Sequence, residues 1–185
     1  MTQTGLRFFG LVTAAVVLIA DQLVKWWMLV GVFGLEGPIR AGTFAPQTRV
    51  TDFFNLTLVW NDGISFGLLG GEDAVWMLSG LAILVSLVLL VWLWRANGRL
   101  LVLSLGLIIG GALGNVVDRL RFGAVADFLD FHVMGYHFFV FNVADAAISI
   151  GVVLIVVDSF FAGARTNRDA GQAIPGTHSG EGDRD

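Results

Sequence analysis

The chain contains no cysteine. That excludes a thiol nucleophile, a cysteine-based zinc site and any disulfide. Charge is also scarce: Asp, Glu, Lys and Arg make up 14% of the 185 residues, against about 25% in a soluble domain. A water-soluble globule of this length must cover its surface with polar groups, and this chain has too few. A positive surplus is missing as well. Eleven basic residues face 15 acidic ones, giving a net charge of −4, so no basic surplus exists for holding nucleic acid phosphates. These shortages exclude a soluble enzyme, a disordered chain and a disulfide scaffold. What abounds is apolar: 56% hydrophobic residues, 24 glycines and a mean hydropathy of +0.78.

A bilayer core of about 30 Å takes about 20 apolar residues per helix. Four stretches qualify: about Phe8–Phe33, Ala74–Trp94, Leu100–Val117 and Phe138–Val157. They are too long and continuous for barrel strands. The first resembles a signal peptide through Arg7 and the run to Ala20, but apolar residues resume after Lys25 and no small-x-small cleavage site closes the run. The fold expected is an all-α membrane protein of four transmembrane helices. A small β-rich extracytoplasmic segment, about 34–73, lies between helices one and two. Within it, Val50–Trp60 favours strand and Asn61-Asp62-Gly63 supplies turn chemistry. The acid-free Arg95–Arg99 connection is taken as cytoplasmic. Both termini then face the cytoplasm, and 34–73 and 118–137 face outward. Residues 1–164 form the membrane domain, and the polar stretch 165–185 reads as a disordered cytoplasmic tail.

A charge at mid-bilayer costs about 3 kcal/mol, so polar residues in the spans are informative. Asp21 and Lys25 are four apart, acid first, which suits an intrahelical pair. They serve either as a helix-end ion pair or in orienting a site. Gly106, Gly110 and Gly114 make a small-xxx-small ridge that admits a close helix neighbour. Asn115, Asp118 and Arg119 follow on one face, either as a site or as an interfacial ion pair ending the helix. Asp127 sits among apolar neighbours, with Asp130 three residues on, and Asn142 and Asp145 occupy the outward half of the fourth span. Asn61 and Gly63, taken alone, read as a hairpin turn.

Other chemistries are poorly supplied. His132 and His137 are five apart, and no HExxH occurs. Ser65 sits in neither a nucleophile elbow nor a clear Ser–Lys pattern. No catalytic metal and no cofactor are expected. The remaining carboxylates, asparagines and arginine suit either acid–base activation of water or a proton relay.

Five segments in order carry a resemblance: Asp21-Gln22-Leu23-Val24-Lys25, Asn61-Asp62-Gly63-Ile64-Ser65-Phe66, Gly110 to Arg119, Gly123 to Phe128, and Phe141-Asn142-Val143-Ala144-Asp145. The chain resembles the lipoprotein signal peptidase (signal peptidase II) family of the bacterial inner membrane over roughly residues 8–160. The resemblance implies an aspartic endopeptidase. It would cut prolipoproteins on the amino side of a diacylglyceryl-modified cysteine, with that substrate and membrane lipids as its partners. Asp127 and Asp145 match the family's catalytic pair. Asp21, Lys25, Asn61, Gly63, Asn115, Asp118, Arg119 and Asn142 match its supporting residues. Val24 and Trp60 depart from the usual pattern. Such a pair would share one proton, and Asn115, Asn142 and Arg119 are the candidate oxyanion donors. The competing classes are a small oligomeric proton- or ion-coupled transporter relaying through Asp145 and Asn142, and a non-catalytic assembly factor using the glycine ridge.

Overall fold

The computed structural model describes residues 1–63, 72–134 and 136–172. Four long helices carry the chain: α1 (Gln3–Trp26), α2 (Glu72–Arg95), α3 (Arg99–Phe122) and α4 (Val143–Gln172). Each includes a stretch long and apolar enough to cross a membrane. Thr2 caps α1 by accepting from the Gly5 N–H at 3.2 Å. A π-helical turn, Trp27–Val32, prolongs that helix. Gly123 ends α3 in the left-handed region at φ 85°, donating to Arg119 O at 3.0 Å.

α3 is the central helix. Of its apolar window 56% is buried, against 22% for α1 and 17% each for α2 and α4. Its glycines explain how it reaches its neighbours. A Cβ on Gly106 or Gly110 would stand 2.6 Å from Gly10 O or 2.5 Å from Ala14 O, both on α1. A Cβ on Gly111 would stand 2.5 Å from Ala144 O on α4, and one on Gly114 would stand 2.6 Å from Asp21 Oδ2. Two helices therefore lie against α3 at distances that only a missing side chain permits. Residues such as Trp76, Leu84 and Val88 on α2 and Val153 on α4 turn outward and exposed.

Above the bundle lies a four-stranded antiparallel sheet in the order β1 (Thr48–Arg49), β2 (Phe54–Asn61), β3 (Val125–Val133), β4 (Tyr136–Phe141). Two expectations are corrected by it. The β structure is not confined to the segment between α1 and α2, because β3 and β4 come from the connection between α3 and α4. The fourth span also starts later than Phe138, since Phe138–Phe141 belong to β4 and α4 begins at Val143. The apolar run is continuous through both, so hydropathy alone does not divide them. A helix cap at Asn142 does, as described below. The stretch Val50–Trp60 does hold a strand, β2, which pairs Val59 with Asp127 and Asn61 with Val125 across to β3. Asn61-Asp62-Gly63 makes a turn in which the Gly63 N–H donates to Asn61 Oδ1 at 2.9 Å with Gly63 at φ 88°. Ile64, Ser65 and Phe66 of that segment lie outside the described residues. Of the tail from Arg165, residues through Gln172 continue α4, and 173–185 lie outside the described residues.

The close contacts of α3 generate a paired expectation. Gly110→Leu overpacks the α1 contact, which costs about 1–3 kcal/mol or more, and lowers the thermal unfolding midpoint in detergent. Gly80 on α2 has nothing within 4 Å of an added Cβ, so Gly80→Ala leaves the midpoint unchanged or raises it. An unaltered midpoint in Gly110→Leu would contradict the packing account.

Candidate active site

The site begins with the start of α4. Asn142 stands just before its first turn, and Asn142 Oδ1 accepts the Asp145 N–H at 3.0 Å. Asp145 Oδ2 in return accepts the Asn142 N–H at 3.2 Å. This is a reciprocal capping box, in which an N-cap side chain and the third helical residue satisfy each other's backbone donors. The Asn142 amide nitrogen then reaches outward, donating to Asp127 Oδ1 at 2.6 Å and to Asn115 Oδ1 at 3.2 Å. One residue thus holds both Asp127, on β3, and Asp145, on α4. Asn61 Nδ2 donates to the other Asp127 oxygen at 2.9 Å, and Asn115 Nδ2 donates to Asp145 Oδ1 at 2.8 Å.

Behind this pair lies a buried ionic knot. Lys25 is 1% exposed, and its ammonium contacts Asp21 Oδ2 at 2.9 Å, Asp118 Oδ2 at 2.8 Å and Asn115 Oδ1 at 3.1 Å. Its three protons are all used. Asp21 Oδ1 accepts the Ala144 N–H at 2.9 Å, placing a carboxylate at the positive end of α4. Asp118 Oδ2 accepts the Ala126 N–H at 3.1 Å, which fixes the start of β3. Asp118 therefore pairs with Lys25 on another helix and not with the adjacent Arg119. The i, i+4 pair Asp21–Lys25 expected from spacing is present, but deep in the bundle, where it joins α1, α3, α4 and β3.

Arg119 is partly buried, and the carboxylates acting on its charge are those of Asp145, Asp118 and Asp127. Its Nε is buried without a hydrogen-bond partner among the described residues. Gly63 lies against it: a Cβ there would collide with Leu78 and stand 3.7 Å from Arg119 Nη2. The ten residues that the resemblance names thus fall in one connected neighbourhood.

Asp127 is 1% exposed. Burial pushes its carboxyl up to about 6, and the charge of Asp145 adds to that, while donors from Asn61 and Asn142 and the charge of Lys25 pull the other way. Asp127 also opens on a cavity of about 340 Å³ across the face of β2, β3 and β4, lined by Trp60, Asn61, Asp62, His137 and Phe139 among others. A separate cavity of about 390 Å³, lined by Gln22, Lys25, Trp26, Glu36 and Arg121 among others, includes neither Asp127 nor Asp145. Trp60, one of the departures from the family pattern, donates Nε1–H to Thr43 O at 2.9 Å and packs edge-on against Phe122.

Two features escaped the sequence reading. Gln22 donates to Asp118 Oδ1 at 2.9 Å, Gly114 O at 3.2 Å and Asp21 Oδ2 at 3.2 Å, so it ties the knot together. Its place inside the Asp21–Lys25 segment was the available signal. Asp130 does not join Asp127. It is buried under a second cluster, with Thr57 Oγ1 donating at 2.7 Å and His137 Nδ1 at 2.8 Å. Burial alone would raise the Asp130 carboxyl, but the hydrogen bonds from His137 and Thr57 and the neighbouring imidazoles outweigh it and hold it below its ordinary value.

Residues 13–161 match the family model described as Signal peptidase (SPase) II. The chain belongs to the signal peptidase II family. It is 42% identical over 171 residues to the lipoprotein signal peptidase of Beijerinckia indica, covering 91% of this chain and 95% of that one. To the lipoprotein signal peptidase of a Methylobacterium species it is 44% identical over 159 residues, covering 84% and 91%. A solved bacterial membrane enzyme, determined by the in meso method at 2.3 Å, superposes with a TM-score of 0.68 at 26% identity, covering 84% of this chain and 90% of that one. A second, at 1.9 Å, gives 0.66 at 28% identity, covering 80% and 90%. As a signal peptidase II the chain is a multi-pass membrane protease, and the network around Asn142 lies within the matched region.

The ionic knot generates a stability expectation. Lys25→Met leaves Asp21 and Asp118 buried without a cation, which costs about 3–5 kcal/mol. The triple change Asp21→Asn, Lys25→Met, Asp118→Asn removes the uncompensated charge and unfolds at a higher temperature in detergent than Lys25→Met alone. A triple variant no more stable than the single one would contradict this balance of charges.

Proposed function

We propose that Asp127 and Asp145 are the catalytic pair. They activate water to cut a bacterial prolipoprotein on the amino side of its diacylglyceryl-modified cysteine. The observation that carries this reading is Asn142, which binds both carboxyl groups at once. Two carboxyls that feel each other's charge do not ionise together readily, so between its two titrations the pair holds one proton. That proton belongs to the pair. The ionised member takes a proton from water as the water oxygen attacks the scissile carbonyl carbon. The neutral member hydrogen-bonds to the carbonyl oxygen and polarises it, keeping its proton for the leaving amine. When the tetrahedral intermediate collapses, the C–N bond breaks and the leaving amine receives a proton from the pair.

Asn142 has both amide protons committed, which leaves the Arg119 guanidinium, together with the second N–H of Asn115, as the oxyanion donors. The sheet lies on the outer membrane surface, both termini are cytoplasmic, and the substrate enters from the bilayer. Each buried CH₂ of its acyl chains contributes about 0.8 kcal/mol of membrane affinity, so enzyme and substrate meet in two dimensions. Membership in a protease family does not favour the transporter reading.

Asp127→Asn and Asp145→Asn each yield folded, inserted protein that leaves a diacylglyceryl prolipopeptide uncut. Retained cleavage in either would overturn the pair. The pH dependence has a definite sign. The active form holds one proton, so kcat/KM falls as pH rises through the upper titration of the pair, which Asp127 places near 6. The Asn61 N–H favours the ionised Asp127. Its removal in Asn61→Ala raises the proton affinity and moves the falling limb to higher pH, whatever happens to the maximal rate. A limb that stays or moves down would contradict the assignment.

A further inference from the structure

The cavity that Asp127 lines holds a second built group that hydrolysis does not use. His137 projects from β4 into it with half of its side chain exposed. Beneath lies Asp130, 1% exposed. Its carboxylate takes Thr57 Oγ1 at 2.7 Å, Gln47 Nε2 at 3.3 Å, and His137 Nδ1 at 2.8 Å and 3.0 Å from its two oxygens. The His132 ring packs 5.0 Å from that of His137. An ionised carboxylate only accepts hydrogen bonds. Nδ1 of His137 therefore carries a ring hydrogen, and whenever the ring is uncharged its Nε2 is left as an acceptor. Burying a carboxylate is costly unless it is fully bonded, and a surface histidine needs no such support to sit on a sheet. The arrangement is that of an acid fixing the tautomer of a working imidazole.

The cavity crosses three strands, from Asn61 on β2 and Asp127 on β3 to Val140 on β4. On the peptidase reading, a polypeptide cut at Asp127 would have this face to run along, while its acyl chains and signal helix stay in lipid. We propose that His137 is a substrate-binding residue. Its Nε2 accepts a backbone N–H from the polypeptide that follows the modified cysteine, and Asp130 is the positioning residue that holds the ring for it. This rests on the peptidase reading above and adds a subsite on the mature side of the scissile bond.

The test uses the purified full chain in detergent and two diacylglyceryl peptides. One ends at the modified cysteine as an amide, and the other carries several further residues. The expected result for His137→Ala is a KM about tenfold higher on the long peptide, the size of one lost hydrogen bond. The effect is confined to KM and to that peptide. His137→Gln, which offers an amide carbonyl, recovers part of the loss. Asp130→Asn shows the same dependence on peptide length to a smaller degree. An unchanged KM for His137→Ala on the long peptide overturns the inference. So does a loss of kcat shared equally by both peptides, which marks a structural or general catalytic role. If the wild-type chain cuts neither peptide, the peptidase reading itself fails. If it cuts both and His137→Ala matches it, only the subsite fails.

Discussion

Asn142 is the residue on which the arrangement turns. It caps α4, and in doing so its carbonyl oxygen and backbone N–H are tied to Asp145. Its two amide protons are then free to bind a strand, through Asp127, and a neighbouring helix, through Asn115. A helix cap is ordinarily worth about 1 kcal/mol. Here the same atoms bring a carboxylate from the sheet to a carboxylate on a helix, so the beginning of α4 and the geometry of the site are one interaction. No apolar side chain offers donor and acceptor together, and no shorter or charged one offers two N–H groups and a carbonyl.

The knot around Lys25 serves the layer below. In hydrocarbon there is no water to satisfy a stranded charge, so each of Asp21, Asp118 and Lys25 must find its partners inside the protein. They do so across α1, α3, α4 and the start of β3. Gln22 and Asn115 supply the neutral donors and acceptors that complete the set. A buried ion pair of this sort contributes little net stability by itself. Its effect is on register, because any slip of one helix along another strands a charge.

Glycine makes that register reachable. Lipid tails are as apolar as leucine, so helices in a bilayer associate through close packing and polar contacts and not through the hydrophobic effect. The α3 glycines bring its backbone against carbonyls of α1 and α4. At Gly114 the vacated space is filled by the Asp21 carboxylate itself. Packing and electrostatics thus require the same residue at the same place.

Much of this was legible from the linear chain, for a local reason. Apolar length and helical period are properties of neighbouring residues, so three of the four spans and the i, i+4 relation of Asp21 to Lys25 could be read directly. The residues that gather around Asn142 were picked out by resemblance, because their segments keep a recognisable spelling. The start of α4 was misread because strand and helix share one unbroken apolar run, although Asn142 and Asp145, three apart, spell the cap that separates them. Strand pairing is non-local. That β2 from one connection lies beside β3 from another, setting Val59 opposite Asp127, follows from no pattern within either segment. The same holds for Asp118 pairing with Lys25 and for Asp130 supporting His137 across a hairpin. The amino-acid order by itself determined a four-helix, membrane-spanning chain with costly polar residues at known positions. Only the folded state decided which of those residues meet, because burial forces each polar group to take whichever partner the packing of distant segments brings within reach.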